Sequence, residues 1–88
     1  PRQAFFGVVR DVDHKPAGFA VRRVVTGSAA EKAGLRGGDV IVQFGDQPIE
    51  RSEELTPAVR AMRPGERVQV RIERLGTQFE LDVTLGAR

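Results

Sequence analysis

"GSAAEKAGLRGGDVIVQFGDQPI", from Gly27 to Ile49, sets the architecture of this chain. Ser28 carries the side chain of a helix N-cap, and Gly34 follows an Ala-rich turn where a left-handed residue stops a helix. The stretch therefore predicts a short helix between the two. Gly37 and Gly38 then form a tight turn ahead of Val40 to Phe44, whose near-continuous apolar character predicts a strand covered on both faces. "GDQPI" turns the chain again. A helix end, a glycine turn and a strand in such quick succession make a rigid corner, and no catalytic side chain lies in it.

Working outward, "AFFGVVRDV" (Ala4 to Val12) is apolar and β-branched with Gly7 interrupting it, which predicts a loop running into a strand. Phe19 to Val25 is a second strand. On the C-terminal side, Ser52 is read as the cap of a second helix, with Glu53 and Glu54 in its first turn and Leu55, Val59 and Met62 on one face. Pro57 conflicts with that start, because its ring would collide with the Glu53 carbonyl. Two readings follow: a distorted first turn, or a later start with Thr56 as cap and Pro57 as first residue. "RPG", Arg63 to Gly65, ends the helix. Val68, Val70 and Ile72, and then Phe79, Leu81, Val83 and Leu85 beyond Leu75-Gly76, keep a period of two, which predicts a β-hairpin over a core. About five strands and two helices point to an α+β, mainly β fold: a small, partly open β-barrel or sandwich capped by helices.

The chain has 88 residues, enough for one domain over residues 1–88 and a single core. Its 40% hydrophobic and 30% charged residues are globular values, not those of a disordered chain. Fourteen basic residues against twelve acids leave a net charge of only +2, and there is no Trp or Tyr. Arg alternates with Glu, as in "RIERLGTQFE", without forming a basic patch, so nucleic acid is not an expected partner. No cysteine is present, which removes disulfides and thiolate metal sites. No apolar run approaches the roughly 20 residues of a membrane span, and direct membrane insertion is not expected. Beginning at Pro1, without an initiator Met, the chain reads as a domain of a longer protein.

The pattern Gly-Ser-x-Ala, short helix, Ala-Gly-Leu, Gly-Asp and apolar strand resembles the PDZ domains of bacterial proteases. The resemblance continues through "SEELTPAVRAMRPGERVQVRIER" and covers nearly the whole chain. With the carboxylate-binding loop represented by Phe5, Phe6, Gly7 and Val8, and the closing strand at the C-terminus (Phe79 to Leu85), the chain order is similar to the circularly permuted bacterial arrangement of HtrA-type serine proteases. Similar domains occur in zinc aminopeptidases, C-terminal processing proteases and site-2 proteases.

The resemblance implies a five- to six-stranded fold in which a peptide C-terminus adds a strand to Val8, Val9, Arg10, Asp11 and Val12. Within the Phe5–Val8 loop, the amides of Phe6, Gly7 and Val8 would hold the terminal carboxylate. Phe6, Val8, Leu55, Ala58, Val59 and Met62 would form a pocket for an apolar last residue. Where many eukaryotic relatives place a His near the helix start, this chain has "SEEL", so no Ser/Thr requirement is expected upstream in the ligand. The implied partners are apolar peptide C-termini and a protease domain in cis, with an extracytoplasmic, periplasmic setting. A structural role, with the groove filled by the protein's own flanking segment, is the alternative.

Read alone, "FFGV" fits a core strand with a Gly bulge better than a binding loop, and only the downstream pattern reverses that; an apolar helical stripe such as Leu55, Val59 and Met62 is usually core. His14, beside Asp11 and Asp13, is the only histidine. Ser28 and Ser52 read as helix caps, and no G-x-S-x-G elbow is present, so no Ser-His-Asp triad is expected. One His with two carboxylates is weak grounds for a metal, and neither a metal nor another cofactor is expected. Arg2, Arg60 and Arg63 are candidates for steering a carboxylate, against a plain reading as solvated surface.

Overall fold

The computed structural model describes residues 3–13 and 17–87. Strands β1 (Ala4–Phe5), β2 (Val8–Arg10) and β3 (Phe19–Val24) precede helix α1 (Ala29–Ala33). Strands β4 (Val40–Phe44) and β5 (Gln47–Pro48) lead to a 3-10 turn, Ser52–Glu54, which runs into helix α2 (Leu55–Arg60). Strands β6 (Arg67–Arg74), β7 (Thr77–Thr84) and β8 (Gly86–Ala87) complete the fold. The main sheet has the order β2-β3-β4-β6-β7, antiparallel throughout, with β5 paired to β4. Apart from it, β1 and β8 pair and bring the two ends of the described chain together. The fold is mainly β with two short helices, and the sheet does not close into a barrel.

The ends of α1 match the sequence reading. Ser28 is extended (φ −79°, ψ 167°), its Oγ accepts the Glu31 N–H at 3.2 Å, and Gly34 takes the left-handed conformation that stops the helix. Glu31 in turn accepts the Gly27 N–H at 2.8 Å, so the cap is braced from both sides.

The start of α2 differs from the expectation. Ser52 makes no side-chain cap; it lies inside the 3-10 turn, and α2 begins at Leu55. The Glu54 carboxylate takes the capping role by accepting the N–H groups of Glu50 and Arg51 at 2.8 and 2.7 Å. Pro57 is the physical reason for the shift. As the third residue of α2 it occupies a position whose N–H has no intrahelical acceptor, so its missing donor is harmless there. The first turn is the distorted one, and Thr56 is not the cap.

Two strands also carry corrections. In β4 only Ile41 and Phe44 are buried, while Val40, Val42 and Gln43 are half-buried, so the strand is fully covered on one side only. A register shift between Ile41 and Gln43 explains why two residues three apart both point inward. In β7, Val83 and Leu85 beyond it are buried and Leu81 is half-buried, but Phe79 is 42% exposed. Because β7 is an edge strand, only one side of Phe79 has a neighbour strand; Arg74 covers part of the ring, 5.6 Å from its centre.

The core is one cluster drawn from the strands and both helices, including Val21, Ala30, Ile41, Ile49, Leu55, Val70, Ile72 and Val83. The glycine corner is tied to it by a charge. Asp39 is 1% exposed, and its two carboxylate oxygens receive Arg74 Nε and Nη2 at 2.7 and 2.8 Å, with the Arg36 N–H at 2.9 Å. Arg74 also donates to the Gly34 carbonyl at 2.9 Å, so one guanidinium joins β6, the turn and the end of α1. The Asp39 hydrogen bond, helped by charge attraction and opposed by burial, raises the Arg74 guanidinium above its ordinary value. Gly37 packs against the β3 backbone: a Cβ there would lie 2.3 Å from the Arg22 carbonyl oxygen.

Candidate functional site

β2 stands at one end of the sheet, with β3 on one side and, among the described residues, no strand on the other. Its hydrogen-bonding direction follows from the register. Val25 N–H donates to the Gly7 carbonyl at 2.8 Å, and Val8 lies opposite Val24. In an antiparallel ladder this makes Val8–Val24 a non-hydrogen-bonded pair, so the N–H and C=O of Val8 face away from β3. An open edge of this kind is a template for an incoming strand.

The loop before β2 is held from below. The Phe6 carbonyl accepts the Ala30 N–H at 2.9 Å, and the Phe6 ring, 3% exposed, meets Phe44 edge to face with centroids 5.6 Å apart. Gly7 has φ +95°, and a Cβ on it would sit 2.2 Å from Cβ of Ser28. Only glycine satisfies both the dihedral and the close approach. The cap of α1 and the loop therefore occupy one tightly packed spot.

A hollow of about 150 Å³ opens between this loop and α2. Phe6, Gly7 and Val8 line it from the loop and β2, and Leu55, Thr56, Val59 and Arg60 line it from α2. Leu55 and Val59 are buried, Val8 is half-buried, and Thr56 and Arg60 are exposed at the lip. Arg60 makes no ion pair among the described residues. An apolar hollow beside an unpaired strand edge, with a cation at its rim, can take an extended chain with an apolar side chain and a negative end.

The structure thus brings together Phe5, Phe6, Gly7, Val8, Leu55 and Val59 of the expected site. It separates Ala58 and Met62, which line a different concavity across α2 together with Pro57 and Ala61. At about 100° per residue, Leu55 and Val59 mark the buried midline of α2; Thr56 and Arg60 fall on one side of it, Ala58 and Met62 on the other. Apolar spacing finds that midline and says nothing about which side is the groove. Thr56, read from sequence only as a candidate cap, lines the hollow without any signal of it, because a polar residue in a helix does not mark a groove side. The expected pairing strand is also shorter: β2 ends at Arg10, Asp11 keeps one bond to the Ala20 carbonyl at 2.9 Å, and Val12 lies in a turn, 58% exposed. Asp11 accepts the Asp13 N–H at 3.0 Å, which turns the chain away from β3. Arg63 does not reach the hollow; its N–H donates to Glu66 at 2.6 Å. Arg2 and His14 lie outside the described residues. Among the described residues, no three metal-ligating side chains cluster, and no helix is long and apolar enough to cross a membrane.

Comparison with known proteins agrees with this geometry. The PDZ domain family pattern matches residues 6–85. A "Probable periplasmic serine endoprotease DegP-like" of Marinomonas sp. (strain MWYL1) is 38% identical over 98% of this chain, which spans 20% of that protein. Its namesake in Chlamydia trachomatis serovar D is 45% identical over 81% of the chain, here matching 14% of the protein. The relatives are thus named as periplasmic, and the chain spans a fifth of their length or less. Among solved structures, the HtrA-type protease AlgW with decapeptide superposes with a TM-score of 0.89 over 99% of this chain and 30% of its own, at 24% identity. An aminopeptidase N family protein from Idiomarina loihiensis reaches 0.82 over 98% of this chain and 14% of its own. At 24% identity, these two likenesses establish the fold. By its matching pattern, its relatives and its fold, this chain belongs to the PDZ domain family.

Proposed function

We propose that this domain binds peptide C-termini with an apolar last residue, or internal apolar segments, by strand addition to β2, and serves a serine protease of the HtrA type carried on the same polypeptide. The observation that carries this is the outward-facing N–H and C=O of Val8 beside a hollow floored by Phe6, Leu55 and Val59. Main-chain bonds to β2 supply affinity without regard to sequence, and the hollow selects the last side chain. The amides of the Phe6–Val8 loop, bent by the positive φ of Gly7, are the natural seat of the terminal carboxylate. Charge-assisted bonds there are about twice as strong as neutral ones. With so small a hollow the affinity is on the order of micromolar, equivalent to about 8 kcal/mol.

The domain acts in this reading as a non-catalytic adaptor that delivers or senses polypeptide ends for the protease. Support comes from the relatives' names, which are those of endoproteases, and from the AlgW structure, described as containing a decapeptide. The test is a binding screen with peptides carrying free C-termini, repeated with their C-terminal amides and with Val8→Lys. Micromolar binding that needs both the free carboxylate and Val8 is the expected result. Binding indifferent to amidation and to Val8→Lys would overturn the reading.

A further inference from the structure

The other side of α2 carries a second and far larger concavity, about 890 Å³, bounded by α2, the Gly45-Asp46 turn and the start of β6. Phe44 and Val68 are buried beneath it, and its open apolar floor comes from half-buried Ala58 on α2 and from exposed Ala61 and half-buried Met62 just past the helix end, across α2 from the proposed C-terminus groove. Its charge is one-sided. Asp46, Glu53 and Glu54 stand on it against a single cation, Arg67. That cation is already shared with Asp82, 3.7 Å away. Glu54 is fixed by its bonds to the Glu50 and Arg51 amides, while Asp46 and Glu53 have no side-chain partner among the described residues. This acidic excess is local, since the chain as a whole carries a net charge of +2.

We infer that this concavity is a second polypeptide-binding surface, whose occupant is an extended segment presenting apolar side chains on one face and Lys or Arg on the other. Charge complementarity selects that occupant. The apolar floor needs an apolar counterpart to be excluded from water, and the acidic residues attract a cationic chain and repel an acidic one. The surface uses none of Phe6, Gly7, Val8, Thr56 or Arg60, so both sides of α2 can be filled at once. A protein bound by its C-terminus on one side can be held through a basic-apolar segment on the other, and two joined sites hold a chain more tightly than either does alone.

The experiment uses the 88-residue protein and an N-acetylated, C-terminally amidated peptide of alternating Leu and Lys, which has no carboxylate to offer the first groove. Binding is followed by fluorescence anisotropy and by methyl NMR. Expected are saturable binding that weakens as salt rises, and shifts at the Ala58, Ala61 and Met62 methyls. The double variant Asp46→Asn/Glu53→Lys weakens binding about tenfold. Val8→Lys leaves it unchanged, and the Leu/Glu counterpart does not bind. Circular dichroism of the variants shows whether they are folded. Should the double variant be folded and the affinity hold, or should the shifts fall on Val8 and Val59, the inference is overturned. Absence of binding at millimolar peptide overturns it as well. The closing control, a free-C-terminus apolar peptide, reports on the first groove separately.

Discussion

Replacing Arg74 by Met tests the account of what holds the corner in place. The substitution keeps an apolar stem of similar reach and removes the guanidinium that bridges Asp39 at 2.7 and 2.8 Å and the Gly34 carbonyl at 2.9 Å. Asp39 then remains as a carboxylate 1% exposed, with only the Arg36 N–H for company. Breaking a buried pair from one side costs about 3–5 kcal/mol. The Arg74 side chain is 25% exposed, so water reaches part of the vacated space and the lower end, about 3 kcal/mol, applies. For a domain of this size that lowers Tm by about 12–24 °C. It is a large part of the roughly 5–15 kcal/mol that holds a small domain together.

The assay is urea and thermal unfolding followed by circular dichroism, with Arg74→Met, Asp39→Asn and the double variant in parallel. The origin of the loss gives the double variant a distinctive result. Once Asp39 is a neutral amide there is no buried charge to strand, so Asp39→Asn/Arg74→Met is more stable than Arg74→Met alone, by about 1 kcal/mol or more. Peptide affinity of the folded Arg74→Met protein stays at the parent value, because the clamp lies away from the β2 edge. A loss below about 1 kcal/mol, the value for a solvent-exposed pair, or a double variant no better than the single, would refute the reasoning.

Gly7→Ala destabilises by about 2–5 kcal/mol, the sum of a left-handed φ and a Cβ forced onto Ser28; thermal unfolding measures it, and a loss under 1 kcal/mol would show that loop and cap separate easily. Leu75→Asn raises stability by about 0.5–1 kcal/mol, because Leu75 is 99% exposed at φ 51° before Gly76, where Asn-Gly suits the turn. An unchanged or lower Tm would mean that Leu75 packs in a way its exposure does not show. The pH dependence of the clamp follows from the raised guanidinium value of Arg74. A cation favoured in the folded state stabilises at every pH below its unfolded value, and the benefit is lost only as pH climbs through the raised folded value. Unfolding titrations should therefore give the same Arg74→Met loss at neutral and moderately alkaline pH.

Local chemistry made part of this structure legible in the sequence. Ser28 and Gly34 bracket α1 because each end is decided by one residue's side chain or dihedral. Val68, Val70 and Ile72 reveal β6 because a strand of period two needs only its own residues to show its buried face. What was not legible depends on neighbours distant in the chain. Arg74 ends a strand of alternating charge and looks like one more surface cation; its role appears only when the fold brings Asp39, 35 positions away in sequence, under its guanidinium. Phe79 keeps the strand period but loses its cover, since nothing local marks β7 as an edge. Of the expected pocket, Phe6, Val8, Leu55 and Val59 lie together because they are also core or near-core residues, which apolar spacing detects. Ala58 and Met62 do not, because one apolar stripe serves a helix with a groove on each side.

Among the described residues, the two end strands of the main sheet, β2 and β7, differ in what they offer the proposed ligand. β7 offers eight residues, but α1 packs against it, and its outer face carries Glu80 and Asp82 paired to Arg71 and Arg67. Charges along an edge discourage another strand from docking. β2 offers only three residues, interrupted by a register shift between Val9 and Arg10, so a long foreign strand finds no continuous ladder there. Short, bent and flanked by a hollow, β2 has room for only a few residues of an added strand, as the proposed function requires. The Ala30 N–H bond to the Phe6 carbonyl and the Gly7–Ser28 contact fix the loop onto α1. The edge is therefore set before any peptide arrives. In the proposed mode the ordering cost of binding falls mainly on the ligand, which is how an edge of three residues would support micromolar recognition.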